Sequence, residues 1–70
     1  MKAFYFTFGQ NHVHRVQAFT WDCDVVCQIM AQSMAHARQI MFQNFGDQWS
    51  MCYEQAPEMH YFPRGIKRLN

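Results

Sequence analysis

The sequence predicts a small α+β domain: an antiparallel-dominated sheet of three to four strands with one helix packed on a single face. Three observations carry it. Aromatics alternate at Phe4, Phe6 and Phe8; a β-branched run holds Val25, Val26 and Ile29; and a helix-periodic apolar stripe follows Ser33. Seventy residues make a single domain, 1–70, near the lower limit for a chain that folds on its own core. Hydrophobic content of 50% and aromatic content of 17% argue for a packed globule, because disordered chains are poor in both.

Each element has its own signal. Ala3–Phe8 reads as a strand that ends at Gly9-Gln10-Asn11, with Phe4, Phe6 and Phe8 on one face and Tyr5 and Thr7 on the other. His12–Phe19 alternates weakly and reads as one short strand or an extended loop. Residues 22–46 would make one long helix, yet the β-branched residues come first and better helix formers follow, so the segment splits at Ser33. The strand before the split turns Val25, Cys27, Ile29 and Ala31 one way. The helix, about 33–45, has Ser33 as N-cap, Gly46 at its left-handed C′ position, and Met34, Ala37, Ile40, Met41 and Phe45 as its stripe. Phe42 and the Met cluster could anchor an interface, but a Met/Phe stripe at helical spacing reads more simply as core. Trp49–Glu54 alternates again and reads as a half-buried strand; residues 55–60 are loop. Residues 61–70 form a basic tail or an edge strand, since Pro63 is excluded from a central one.

Charge is unevenly placed. Residues 1–60 carry Lys2, Arg15 and Arg38 against five acids, a net −2, while 61–70 carry Arg64, Lys67 and Arg68 and no acid, a net +3. Charged residues are only 16% of the chain, so apolar surface is expected to be buried against another chain, as in a homodimer or a complex. Three cysteines cannot all pair, and six apolar or near-apolar residues between Lys2 and Gly9 are too few for a signal-peptide core or a membrane span. The expectation is a cytoplasmic protein with reduced thiols and no membrane association.

Two constellations could carry chemistry. His12 and His14 (His-x-His) with Cys23 and Cys27 (Cys-x₃-Cys) supply the donors of a tetrahedral zinc site. The spacing matches no established zinc module, and free cysteine commonly packs as a small hydrophobe, so the favoured expectation is no cofactor. Tyr5, Trp21 and Tyr61, with Arg15, Arg64, Lys67 and Arg68, could stack bases and meet phosphates. Cysteine catalysis is disfavoured because Asp22 and Asp24 flank Cys23 and would raise its pKa. The acids form no catalytic pair, so a non-enzymatic role is expected.

The segments Tyr5-Phe6-Thr7-Phe8-Gly9 and Ala37, Arg38, Met41, Phe42, Phe45, Gly46, Trp49, Tyr53 match the patterns Y-F-T-F-G and A-R-x-x-M-F-x-x-F-G-x-x-W-x-x-x-Y. With Tyr61–Gly65, they resemble a group of small uncharacterised bacteriophage and prophage proteins. His36 stands where that group usually has Glu, and the acidic first helical turn is missing, so Ser33 caps the helix alone. The resemblance implies a phage accessory protein of β-rich α+β fold and no reaction. Phage proteins of this size often bind host proteins, anti-CRISPR inhibitors among them. The expected function is therefore binding of a host or defence protein, with nucleic-acid binding through the sheet aromatics and basic tail as the alternative.

Overall fold

The computed structural model describes all residues from Met1 to Asn70. Chain order is β1 (Lys2–Phe6), β2 (His14–Val16), β3 (Phe19–Trp21), β4 (Val25–Ala31), α1 (Met34–Phe45), β5 (Cys52–Tyr53) and β6 (Gly65–Arg68), with a 3₁₀ turn at Met59–Tyr61 before β6. Four strands form one sheet in the order β5-β1-β4-β6, and β2 and β3 form a separate two-stranded ribbon. The β1–β4 and β1–β5 pairings are antiparallel, while β4–β6 is parallel. This is the expected α+β architecture, and the tail resolves into its edge-strand alternative.

The core sits between the sheet and α1. Alternation sends Phe4 and Phe6 of β1, and Val25, Cys27, Ile29 and Ala31 of β4, inward, and every one of them is buried. Ala37, Met41 and Phe45 of α1 meet them at helical spacing. Phe8 continues the β1 face past the strand end, with its ring 5.0 Å from Phe45. The split at Ser33 holds: its Oγ accepts the His36 amide at 3.1 Å, which supplies one of the helix's orphan donors with a partner. Gly46 closes the other end at φ 66°, donating its amide to the Phe42 carbonyl at 3.0 Å.

The structure departs from expectation in three places. The single weak strand over His12–Phe19 is a hairpin: Gln17 (φ 56°) and Ala18 (φ 58°) form a two-residue turn, with Val16 opposite Phe19. No glycine or asparagine marks that turn, so its sequence signal was missing and β3 went unread. Second, the strand over Trp49–Glu54 shrinks to Cys52–Tyr53, because Trp49 and Cys52 both turn inward while Met51 and Tyr53 face solvent. Ser50 and Met51 still pair with Thr7 through two backbone hydrogen bonds (2.7 and 3.0 Å), which carry the chain back beside β1. Third, the loop over 55–60 ends in the 3₁₀ turn.

Candidate functional site

Two surfaces stand out, one on each side of the molecule. The first is the outer side of α1. Arg38 and Phe42 are four residues apart and share a helical face. Gly46 turns the chain back, and Trp49 lands against them with its Nε1 donating to the Gly46 carbonyl at 3.0 Å. The indole is double-sided. Its inner side meets Phe6 edge-on (5.1 Å, 89°), and Phe42 lies 5.6 Å away. The Arg38 guanidinium sits 6.0 Å from the ring centre, at the outer limit of a cation–π contact. Ala35, Arg38, Gln39, Phe42 and Gln43 line a shallow recess here. Phe42 is 48% exposed, so the expectation that it belongs to the core is corrected. A cue was present: Phe42 falls off the Met34–Phe45 stripe, among the glutamines. The segment carrying the phage-type pattern thus divides into core (Ala37, Met41, Phe45), surface (Arg38, Phe42) and a half-buried Trp49 that packs on the core from outside.

The second surface is the sheet face turned away from the helix. The registers place Tyr53 opposite Tyr5, Tyr5 opposite Gln28, and Gln28 opposite Arg68, so one row crosses all four strands. Gln28 Nε2 donates to the Tyr5 hydroxyl at 3.3 Å. Arg68 Nε donates to the backbone oxygen of Asn70. Tyr53 escaped the sequence reading because its partner strand could not be known before the register.

The residues expected to bind nucleic acid are not brought together. Trp21 is fully buried against Phe8, Phe19 and Phe45, with its Nε1 donating to the Val16 carbonyl at 3.1 Å. It therefore cannot stack on a base, and that expectation is corrected. Arg64 Nη1 is held by the Thr20 carbonyl (2.7 Å) and Asp22 Oδ1 (3.1 Å), with its guanidinium 4.8 Å from the Phe19 ring. Lys67 also lies over Phe19, at 5.4 Å. Tyr61 is exposed, its ring against His60 at 3.9 Å. Of the expected set, Tyr5 and Arg68 share a row.

The zinc constellation does not assemble either. Cys27 lies inside the core opposite Phe6, and burial pushes its thiol up to about 12, far from the thiolate a zinc ion needs. Cys23 is raised by desolvation and then by Asp24 and Asp22, and its thiol points at Asp24 Oδ1 (3.6 Å). His14 lies between Phe8 and Phe45, its Nε2 donating to the Gln48 carbonyl at 2.8 Å, and His12 lies in the loop before β2. No three His, Cys, Asp or Glu side chains converge as metal ligands would. Burial raises Cys52 as well, against a smaller opposing effect of Arg38, and its sulfur rests on Met34. All three thiols are shifted up, the opposite of the lowering that activates a cysteine nucleophile.

What these features define is a one-helix α+β domain with a half-exposed aromatic–arginine cluster on one side and a tyrosine row on the other. Comparison of the chain with family models, curated proteins and solved structures finds no match. No helix is long and apolar enough to cross a membrane.

Proposed function

We propose that this is a non-catalytic phage accessory protein that binds a host or defence protein in the cytoplasm of the infected cell, in the manner of an anti-CRISPR inhibitor. The observation that carries the reading is the Arg38–Phe42–Trp49 cluster. Trp and Arg are the residue types most enriched among energetically dominant interface positions, and an aromatic anchor beside them supplies apolar area at low entropic cost. Leaving Phe42 half exposed on a 70-residue domain costs burial that the core could have used. Contact with a partner would recover it. The resemblance of this same segment to phage proteins supports the setting, and the raised thiols support a role without covalent chemistry.

Affinity capture from host lysate, with and without nuclease, tests the reading. One protein should be recovered in near-stoichiometric amount after nuclease treatment, and Phe42→Ala or Arg38→Glu should each abolish its recovery. Capture that disappears with nuclease, or that both variants retain, rejects it.

A further inference from the structure

The outer face of the sheet points to a different partner, and the argument begins with which aromatic stands where. Strand β1 alternates Phe4 and Phe6 inward with Tyr5 outward, and Tyr53 of β5 stands opposite Tyr5. The phenylalanines join the buried cluster with Ala37, Met41 and Phe45 of the helix, whereas neither tyrosine ring takes part in the aromatic packing that fills the core. Tyr53 is 39% exposed and Tyr5 is half-buried. The two tyrosines stand side by side on strands about 4.8 Å apart and neither ring pairs with another aromatic, while Val26 on the same side of β4 is fully buried.

The row continues with groups of complementary chemistry. Gln28 follows Tyr5, holding its hydroxyl oxygen at 3.3 Å and leaving the phenol proton available to an acceptor. Arg68 ends the row on β6, its Nε on the Asn70 backbone and no group in the fold taking its terminal nitrogens. No residue that the four strands turn outward is acidic, and Glu54, next to Tyr53, is paired with Lys2 at 3.7 Å. Of the three cations in the last ten residues, Arg68 is the one on this face, since Arg64 is held by Thr20 and Asp22 and Lys67 lies over Phe19. Two unpaired ring faces, an amide and a guanidinium on an acid-free sheet suit bases on a phosphate backbone. An apolar protein face would not need the cation, and a folded acidic protein would not need two flat rings.

We infer that the row Tyr53–Tyr5–Gln28–Arg68 is a binding site for single-stranded nucleic acid. The tyrosines stack unpaired bases, Gln28 hydrogen-bonds a base edge or sugar, and Arg68 meets a phosphate. The site replaces the buried Trp21 with Tyr53, and it goes beyond the protein-binding reading because it uses the opposite side of the molecule. With one or two phosphates neutralised, affinity is modest and the slope of log K against log salt is about −1.

Purified protein is titrated into fluorescein-labelled oligouridylate and oligothymidylate of about ten nucleotides, with anisotropy read between about 50 and 200 mM salt. At least one strand should bind saturably, and unlabelled duplex of the same length should compete poorly. Tyr53→Ala should weaken binding at least about fivefold, Tyr53→Phe should retain it, and Arg68→Gln should flatten the salt slope by about 0.7. Circular dichroism checks that each variant is folded, and the Arg68→Gln salt slope keeps the test decisive if the alanine variant is not: an unchanged slope overturns the assignment. The assignment is overturned if neither strand binds at low salt, if duplex competes equally, or if sedimentation shows a dimer that Tyr53→Ala dissociates. No cellular partner is present, so failure here leaves the protein-binding reading standing, and failed lysate capture leaves this one standing.

Discussion

The segment from β4 through α1 and the β2–β3 hairpin hold their shapes by different means. In β4–α1, local preference and tertiary packing agree at every step. β-branched residues form the strand, Ser33 caps the helix, Gly46 takes the left-handed position, and the apolar stripe faces the sheet. In the hairpin they conflict. Gln17 and Ala18 sit at φ 56° and 58°, a region in which a residue with a Cβ is strained by about 1–2 kcal/mol. What holds the hairpin is contact from elsewhere: Trp21 in the aromatic core, and Arg64 reaching from the chain just before β6 to Thr20, Asp22 and Phe19. A strained turn persists when its surroundings over-determine it.

The largest way to break this contrast is to remove the surroundings. Trp21→Ala deletes the indole that joins β3 to Phe8 and Phe45 and leaves a cavity in a small core. It should cost about 3–5 kcal/mol in urea denaturation, enough to unfold much of the protein at room temperature. A loss below about 1 kcal/mol would mean that the hairpin holds itself.

Alkali probes the other region. Cys27 of β4 has a thiol raised by burial from 9.0 to about 12, whereas an unfolded chain ionises it near 9.0. The native state keeps a proton that the unfolded state gives up, so this contribution to stability is whole below pH 9.0 and is lost as pH rises from 9.0 towards about 12. The expected loss is on the order of a few kcal/mol across that window. Denaturation midpoints should fall steeply there for the wild type and less steeply for Cys27→Ala, measured against each protein's own stability at neutral pH. Parallel decline in the two proteins would show that other groups govern the alkaline limit.

The same contrast explains what could be read from the amino acids alone. Where local rules and packing agree, the elements were legible: the strand boundary near Ala31, the Ser33 cap and Gly46 all lie where residue chemistry puts them. The hairpin was not, because a turn made of Gln and Ala carries no turn chemistry. The surfaces divide similarly. Phe42 fell off the helical stripe, a cue that its reading as core passed over. Tyr53 could become a neighbour of Tyr5 only through a long-range register, and Trp21 looked available for stacking until β3 turned it inward. Sequence periodicity tells which residues share a face, but not which face is covered.

The smallest effect is the sharpest test of the strain. Ala18→Gly removes the Cβ that makes φ 58° costly and leaves the hairpin's register, Trp21 and the Arg64 contacts in place. Glycine adopts this region readily, and position 18 is exposed, so no packing is lost. Against the gain stands the extra freedom glycine gives the unfolded chain, roughly 0.5–1 kcal/mol. The balance is a net stabilisation of about 0.5–1 kcal/mol, a small upward shift in the urea midpoint with an unchanged slope. Ala31→Gly is the matched control in β4, where the backbone already suits alanine. It should destabilise, because it adds unfolded-state freedom and removes a buried methyl. Opposite signs for the same chemical change locate the strain in the hairpin turn, and equal losses at both positions would remove it.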